Sequence, residues 1–175
     1  MNEKYIKDRY DWQGLLDIVH KLRQPDGCPW DSTQTYESMK KCVMDEAQEV
    51  IEAIDNQDYI NLREELGDLM LQVLMYAEIA QEKGEFTLED VIDELGQKLV
   101  RRHPNVFTPK EDEELCKLGQ EETAVINQEG NSIWQAVKIK EKKEKLLEYE
   151  KAYEDGRISK KLLDEKRQQN GNLTL

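Results

Sequence analysis

The sequence predicts an all-α protein built as an antiparallel helix bundle. Three observations carry that prediction. Apolar residues recur at helical spacing along most of the 175 residues, and no stretch shows the strict alternation of a half-buried strand. Charged residues make up 36% and apolar residues 38% of the chain, the balance of amphipathic helices with one stripe turned to a core. The breaks between periodic stretches carry helix-breaking residues, among them Pro25, Gly27, Pro29, Gly84 and Pro104.

Taken in order, residues 10–24 read as a first helix with Leu15, Ile18, Val19 and Leu22 as its stripe. The run from Gln24 to Asp31 reads as a rigid loop, with Trp30 more naturally a loop anchor than a ligand contact. Two helices follow, over 36–55 and 59–83, joined by a polar link at Asp55-Asn56-Gln57-Asp58. So short a link makes them antiparallel. Lys83-Gly84 ends the second, with glycine as its C-cap. Thr87-Leu88-Glu89-Asp90 has the form of a capping box and opens a helix that runs to Arg102, where His103-Pro104 stops it. Residues 108–131 are polar and read as a connection. Helical spacing returns from Ser132 to about Ala152, Asp155-Gly156 marks a turn, and a short helix follows from Ser159 to Gln168 before an end that frays from Asn170.

The two central helices share a template. Glu46 and Glu49 recur 19 residues on as Glu65 and Asp68, each pair spaced i, i+3 and so on one helix face. Their apolar stripes, Val43-Ala47-Val50-Ile51-Ile54 and Leu62-Leu66-Leu69-Met70-Val73, repeat in the same register. Packed stripe against stripe, the antiparallel pair brings its two acidic edges to one side, so the four carboxylates converge. Two carboxylates about 5 Å apart repel by roughly 3 kcal/mol at an effective dielectric near 20. Four together call for protonation or a divalent cation. Oxygen ligands without His or Cys suit Mg²⁺ or Mn²⁺ rather than zinc. The plainer reading is two solvated acidic edges.

Lys98 and Arg102 share a face one turn apart, with Arg101 beside them, near the end of their helix. They either complement the helix dipole or form a phosphate clamp. Trp134 and Lys138, one turn apart on the lysine-rich helix, pack onto the core or meet a base. His20 reads as structural, and His103 as a cap or orienting residue. A net charge of −13 argues against a general binder of nucleic-acid polymers. No apolar run is long enough for a membrane span. Three cysteines without metal-ligand spacing read as reduced thiols of a cytoplasmic protein. Neither His follows a Glu at i+3, which removes a di-iron bundle, and no Walker-type loop is present.

The run Gly27-Cys28-Pro29-Trp30-Asp31, the motifs Asp45-Glu46-x-x-Glu49 and Glu64-Glu65-Leu66-Gly67-Asp68, and the run Lys98-x-x-Arg101-Arg102-His103-Pro104-Asn105-Val106-Phe107 together resemble the MazG family. These are nucleoside triphosphate pyrophosphohydrolases of the all-α class. Trp134-x-x-x-Lys138 is similar to the family's closing helix. The resemblance implies hydrolysis of nucleoside triphosphates to monophosphate and pyrophosphate with Mg²⁺, in nucleotide-pool house-cleaning, by a homodimer whose subunits complete the bundle. It implies Glu46, Glu49, Glu65 and Asp68 as metal ligands, Lys98 and Arg102 on phosphates with Arg101 beside them, and Trp134 with Lys138 toward the base. It assigns residues 1–150 to the catalytic domain and leaves 151–175 as a charged helical tail. Asp45 stands where the family usually has Glu. A non-catalytic nucleotide or partner binder and a pyrophosphatase dedicated to one nucleotide, such as dUTP, dCTP or an alarmone, are the competing readings.

Overall fold

The structure, a computed structural model, describes residues 3–107 and 132–171. Helices make up its regular structure, and the described residues contain no strand. The predicted connection over 108–131, Cys116 and the chain end beyond 171 lie outside the described residues. Two compact units divide the chain, Met1–Glu94 and Leu95–Leu175.

In the first unit, α1 (Trp12–Arg23) starts at Asp11, whose carboxylate accepts from the Gly14 amide at 2.8 Å. α2 (Lys40–Asp55) and α3 (Tyr59–Glu82) form the antiparallel pair. α2 begins four residues later than the periodicity predicts. Thr35 and Ser38 exchange side-chain and backbone hydrogen bonds (2.9 and 3.2 Å) and close a separate turn ahead of it. Asp58 caps α3 by accepting from Ile60 and Asn61. Gly84, at φ +67°, ends it in the left-handed conformation expected of a C-cap glycine. α4 (Leu88–Arg102) opens with the capping box: Asp90 accepts from the Thr87 amide at 2.8 Å, and Thr87 Oγ1 accepts from the Asp90 amide at 3.2 Å.

Val19, Met39, Leu74, Met75 and Ile79 form the core of this unit. Its loop is not anchored by Trp30, which is 58% exposed. Arg23 anchors it instead. That buried guanidinium grips both carboxylate oxygens of Glu82 at 2.7 Å and donates to the Asp31 carbonyl, tying the loop to the end of α3. A Cβ at Gly27 would collide with the Lys21 and Leu22 carbonyls, so the loop can turn this tightly only there. His20 bonds Glu78 at 2.9 Å and links α1 to α3, the structural role read from its position.

One expectation is reversed. The apolar stripes of α2 and α3 do not face each other. Ile51 and Ile54 on α2, and Leu66, Met70 and Val73 on α3, are exposed. The seam between the helices runs instead through Glu46, Ala53, Glu65 and Gln72. α3 turns Leu74, Met75 and Ile79 into the core it shares with α1, and that rotation swings its second stripe outward. The carboxylates therefore lie between the helices rather than along one edge.

In the second unit, α4 ends at Arg102, where His103 Nδ1 donates to the Leu99 carbonyl at 2.7 Å, the capping role. A single turn, α5 (Pro104–Phe107), follows. α6 (Ser132–Glu154) and α7 (Lys160–Gly171) make a hairpin around the Asp155-Gly156 turn. Ala152 and Leu163 are buried in it, and Arg167 on α7 reaches Glu150 on α6 at 2.8 Å. α7 continues through Gly171, beyond the predicted end. Cys28 and Cys42 are free thiols. No helix among the described residues is long and apolar enough to cross a membrane.

Candidate active site

Glu46 and Glu49 lie one turn apart on α2, and Glu65 comes to meet them from α3. One carboxylate oxygen from each lies within 4.8 Å of the other two. Glu49 is exposed, Glu46 half-buried and Glu65 buried, so the group forms a graded opening from solvent into the seam. Asp68, one turn along α3, is not among those three contacts, but its charge acts on both Glu46 and Glu65.

Two of these carboxyls are held above the ordinary range. Burial raises Glu46, followed by the charges of Asp68, Glu49 and Asp45. Burial also raises Glu65, reinforced by a hydrogen bond with Glu49 and by the charges of Glu49, Asp68 and Glu46. Like charges converging in a partly desolvated seam disfavour full ionisation. A hard divalent cation removes that conflict, and the donor set, carboxylates alone, fits one. Asp45 is engaged elsewhere, in an ion pair with Lys41 one turn back.

Gln72 escaped the sequence reading. It is buried two turns along α3 from Glu65 and donates from Nε2 to Glu46. Its signal was present: within the run 69–75 it is the one polar residue.

The basic residues belong to the second unit. Arg101 and Arg102 converge on Glu141 of α6. Arg101 donates twice to Oε1 at 2.9 and 3.1 Å, while Arg102 bonds Oε2 at 2.8 Å through Nε and again through Nη2. Burial pushes the Glu141 carboxyl up, but the two guanidiniums outweigh it and hold the group below the usual range. Paired arginine forks of this kind also match phosphate oxygens. Glu141, too, escaped the sequence reading, since nothing in a lysine-rich helix marks one glutamate among several. Lys98 is half-buried, one turn before Arg102. α6 carries Trp134 and Lys138 in its backbone, and their side chains lie outside what the structure describes.

Residues 34–107 match the MazG nucleotide pyrophosphohydrolase domain, a span that contains the whole carboxylate group and Lys98, Arg101 and Arg102. The likeness over residues 34–107 is to the MazG family. The nucleoside triphosphate pyrophosphohydrolase/pyrophosphatase MazG of Thermotoga maritima is 52% identical over 96 residues, covering 55% of this chain and 38% of that protein. The nucleoside triphosphate pyrophosphohydrolase of Escherichia coli K12 is 38% identical over 132 residues, covering 75% of this chain and 46% of that one. The uncharacterized protein YabN of Bacillus subtilis is 46% identical over 98 residues, 56% of this chain and 20% of its own length. The chain thus spans less than half the length of these relatives.

Proposed function

We propose that this protein hydrolyses nucleoside triphosphates to the monophosphate and pyrophosphate with Mg²⁺, or Mn²⁺ in its place. The observation that carries the reading is the meeting of Glu46, Glu49 and Glu65 within 4.8 Å across a partly buried seam, with Glu46 and Glu65 raised in pKa. Glu46, Glu49, Glu65 and Asp68 hold the cation. A divalent cation in such a site neutralises polyphosphate charge and lowers the pKa of its water. One of the glutamates of that group would orient or deprotonate the attacking water. Lys98 and Arg102, with Arg101 beside them, hold phosphate oxygens and offset the charge that builds on the leaving group. Trp134 stacks on the base, and Lys138 lies one turn along from it.

The reading extends to a homodimer and to a house-cleaning role in the cytoplasm. Exposed Ile51, Ile54, Leu66, Met70 and Val73 supply an apolar face for a second copy, which would complete the bundle. In this assignment residues 1–150 are the catalytic domain and 151–175 an appended helical tail. Pyrophosphate release measured over standard and non-standard triphosphates, with and without Mg²⁺, tests the activity. Phosphate in place of pyrophosphate, or no turnover of any triphosphate, would overturn it.

A further inference from the structure

We propose that Gln72 is a positioning residue of the cation site, holding Glu46 through its amide nitrogen and offering its carbonyl oxygen to water on the cation. The inference rests on the metal-dependent reading above. Gln72 follows Asp68 by four residues and Glu65 by seven, so all three share one line of α3. Its side chain is 5% exposed, within a run whose other members, from Leu69 to Met75, are apolar.

Its Nε2 donates to Glu46 Oε1 at 3.4 Å, a long bond. Its Oε1 has no hydrogen-bond partner among the described residues. Flipping the amide does not repair this, because it would turn an acceptor toward a carboxylate. Oε1 shares a carbon with Nε2, the atom that reaches Glu46.

A buried amide with one long bond and one empty acceptor weakens the folded chain. A methionine or leucine would suit the surrounding run better. What the acceptor lacks is a donor, and ionised carboxylates have none to give. Water on a divalent cation has one, and Mg²⁺ held by carboxylates keeps several waters. A bound cation would bring to Gln72 the donor that its carbonyl oxygen lacks.

The test is Mn²⁺ titration by calorimetry of the full chain, with melting temperature read in parallel, on wild type, Gln72→Met and Gln72→Glu. Gln72→Met keeps the length and removes both polar ends. Its Kd for Mn²⁺ should weaken about 10- to 100-fold, the range for losing a residue that orients a ligand. Its apo melting temperature should hold or rise. Gln72→Glu adds a carboxylate to the seam, so its apo melting temperature should fall and its Mn²⁺-induced rise should exceed that of wild type. A packing residue would alter melting temperature alone. An unchanged Kd in Gln72→Met overturns the inference. Should that variant not fold, a Mn²⁺-induced rise in Gln72→Glu equal to the wild-type rise overturns it. Wild type that binds no Mn²⁺ overturns the metal-dependent reading itself, so the two failures are told apart.

Discussion

Glu49 is the most exposed of the three clustered carboxylates, so a change there disturbs packing least. Glu49→Gln should lower pyrophosphate release by more than about 100-fold, since residues that merely orient a ligand are worth about 10- to 100-fold. Its apo melting temperature should hold or rise, because a repelling charge is gone. Full activity in this variant would remove Glu49 from the metal site. Asp68→Asn tests the fourth carboxylate in the same way. Phosphate and base contacts separate by their selectivity. Lys98→Ala and Arg102→Ala should slow every triphosphate by similar factors, since all share the same phosphates. Trp134→Ala should act on KM, unequally between purines and pyrimidines, because base stacking is worth roughly 1–3 kcal/mol and scales with ring area. Steady-state kinetics on ATP, GTP, CTP and UTP decide it, and an unchanged nucleotide ranking would make Trp134 a packing residue.

The helices themselves were legible in the sequence because each carries its own punctuation. Gly84 and the Thr87–Asp90 box act within a few residues, so local spacing fixes them. The rotation of α2 and α3 was not legible. Each bears two candidate apolar faces, and which one turns inward depends on a distant partner, α1, through Val19. Of the four carboxylates the antiparallel pairing predicts to converge, Glu46, Glu49 and Glu65 meet, in the seam rather than along an edge, and Asp68 is not among their contacts. Arg23 and Glu141 were missed because their partners lie far along the chain. Two glycines test the local geometry. Gly27→Ala should lower the melting temperature, by a cost on the order of 1–3 kcal/mol, because its Cβ would strike backbone. A Cβ at Gly67 meets nothing within 4 Å, so Gly67→Ala in the full chain should gain about 0.5–1 kcal/mol from helix propensity. A loss measured there instead would indicate that a second copy packs closely on that face.

The molecule as a whole should respond to pH with opposite signs in its apo and cation-loaded forms. Glu46 and Glu65 are raised in the folded state. Their contribution to stability is fully present below the unfolded value near 4.5 and is lost as pH rises through the folded value. Glu82, Glu141 and Asp90 are lowered, so their contribution is present above the unfolded value and lost as pH falls through the folded one. Lowering the pH of apo protein from neutrality toward 4.5 should therefore raise its melting temperature, and further acid should lower it. A net charge of −13 pushes the same way. Saturating Mg²⁺ keeps the seam ionised, so the rise toward 4.5 should vanish or reverse. Differential scanning calorimetry over that range reads both slopes, and identical slopes with and without Mg²⁺ would count against the cation site. Oligomeric state is a second whole-molecule property. Light scattering should give a dimer for wild type and a monomer for Leu66→Glu, whose exposed leucine lies on the apolar face.

The carboxylate seam also bears on how long the protein lasts in a cell. Opening α2 away from α3 relieves the mutual repulsion of the apo form, and partial opening is what proteases cut. Under the proposed function, cation and triphosphate would both close that route by mass action. On that reading magnesium starvation would shorten the half-life of the protein as well as idle it. Limited proteolysis with and without Mg²⁺ would show this as earlier cleavage near the α2–α3 link in the chelated sample.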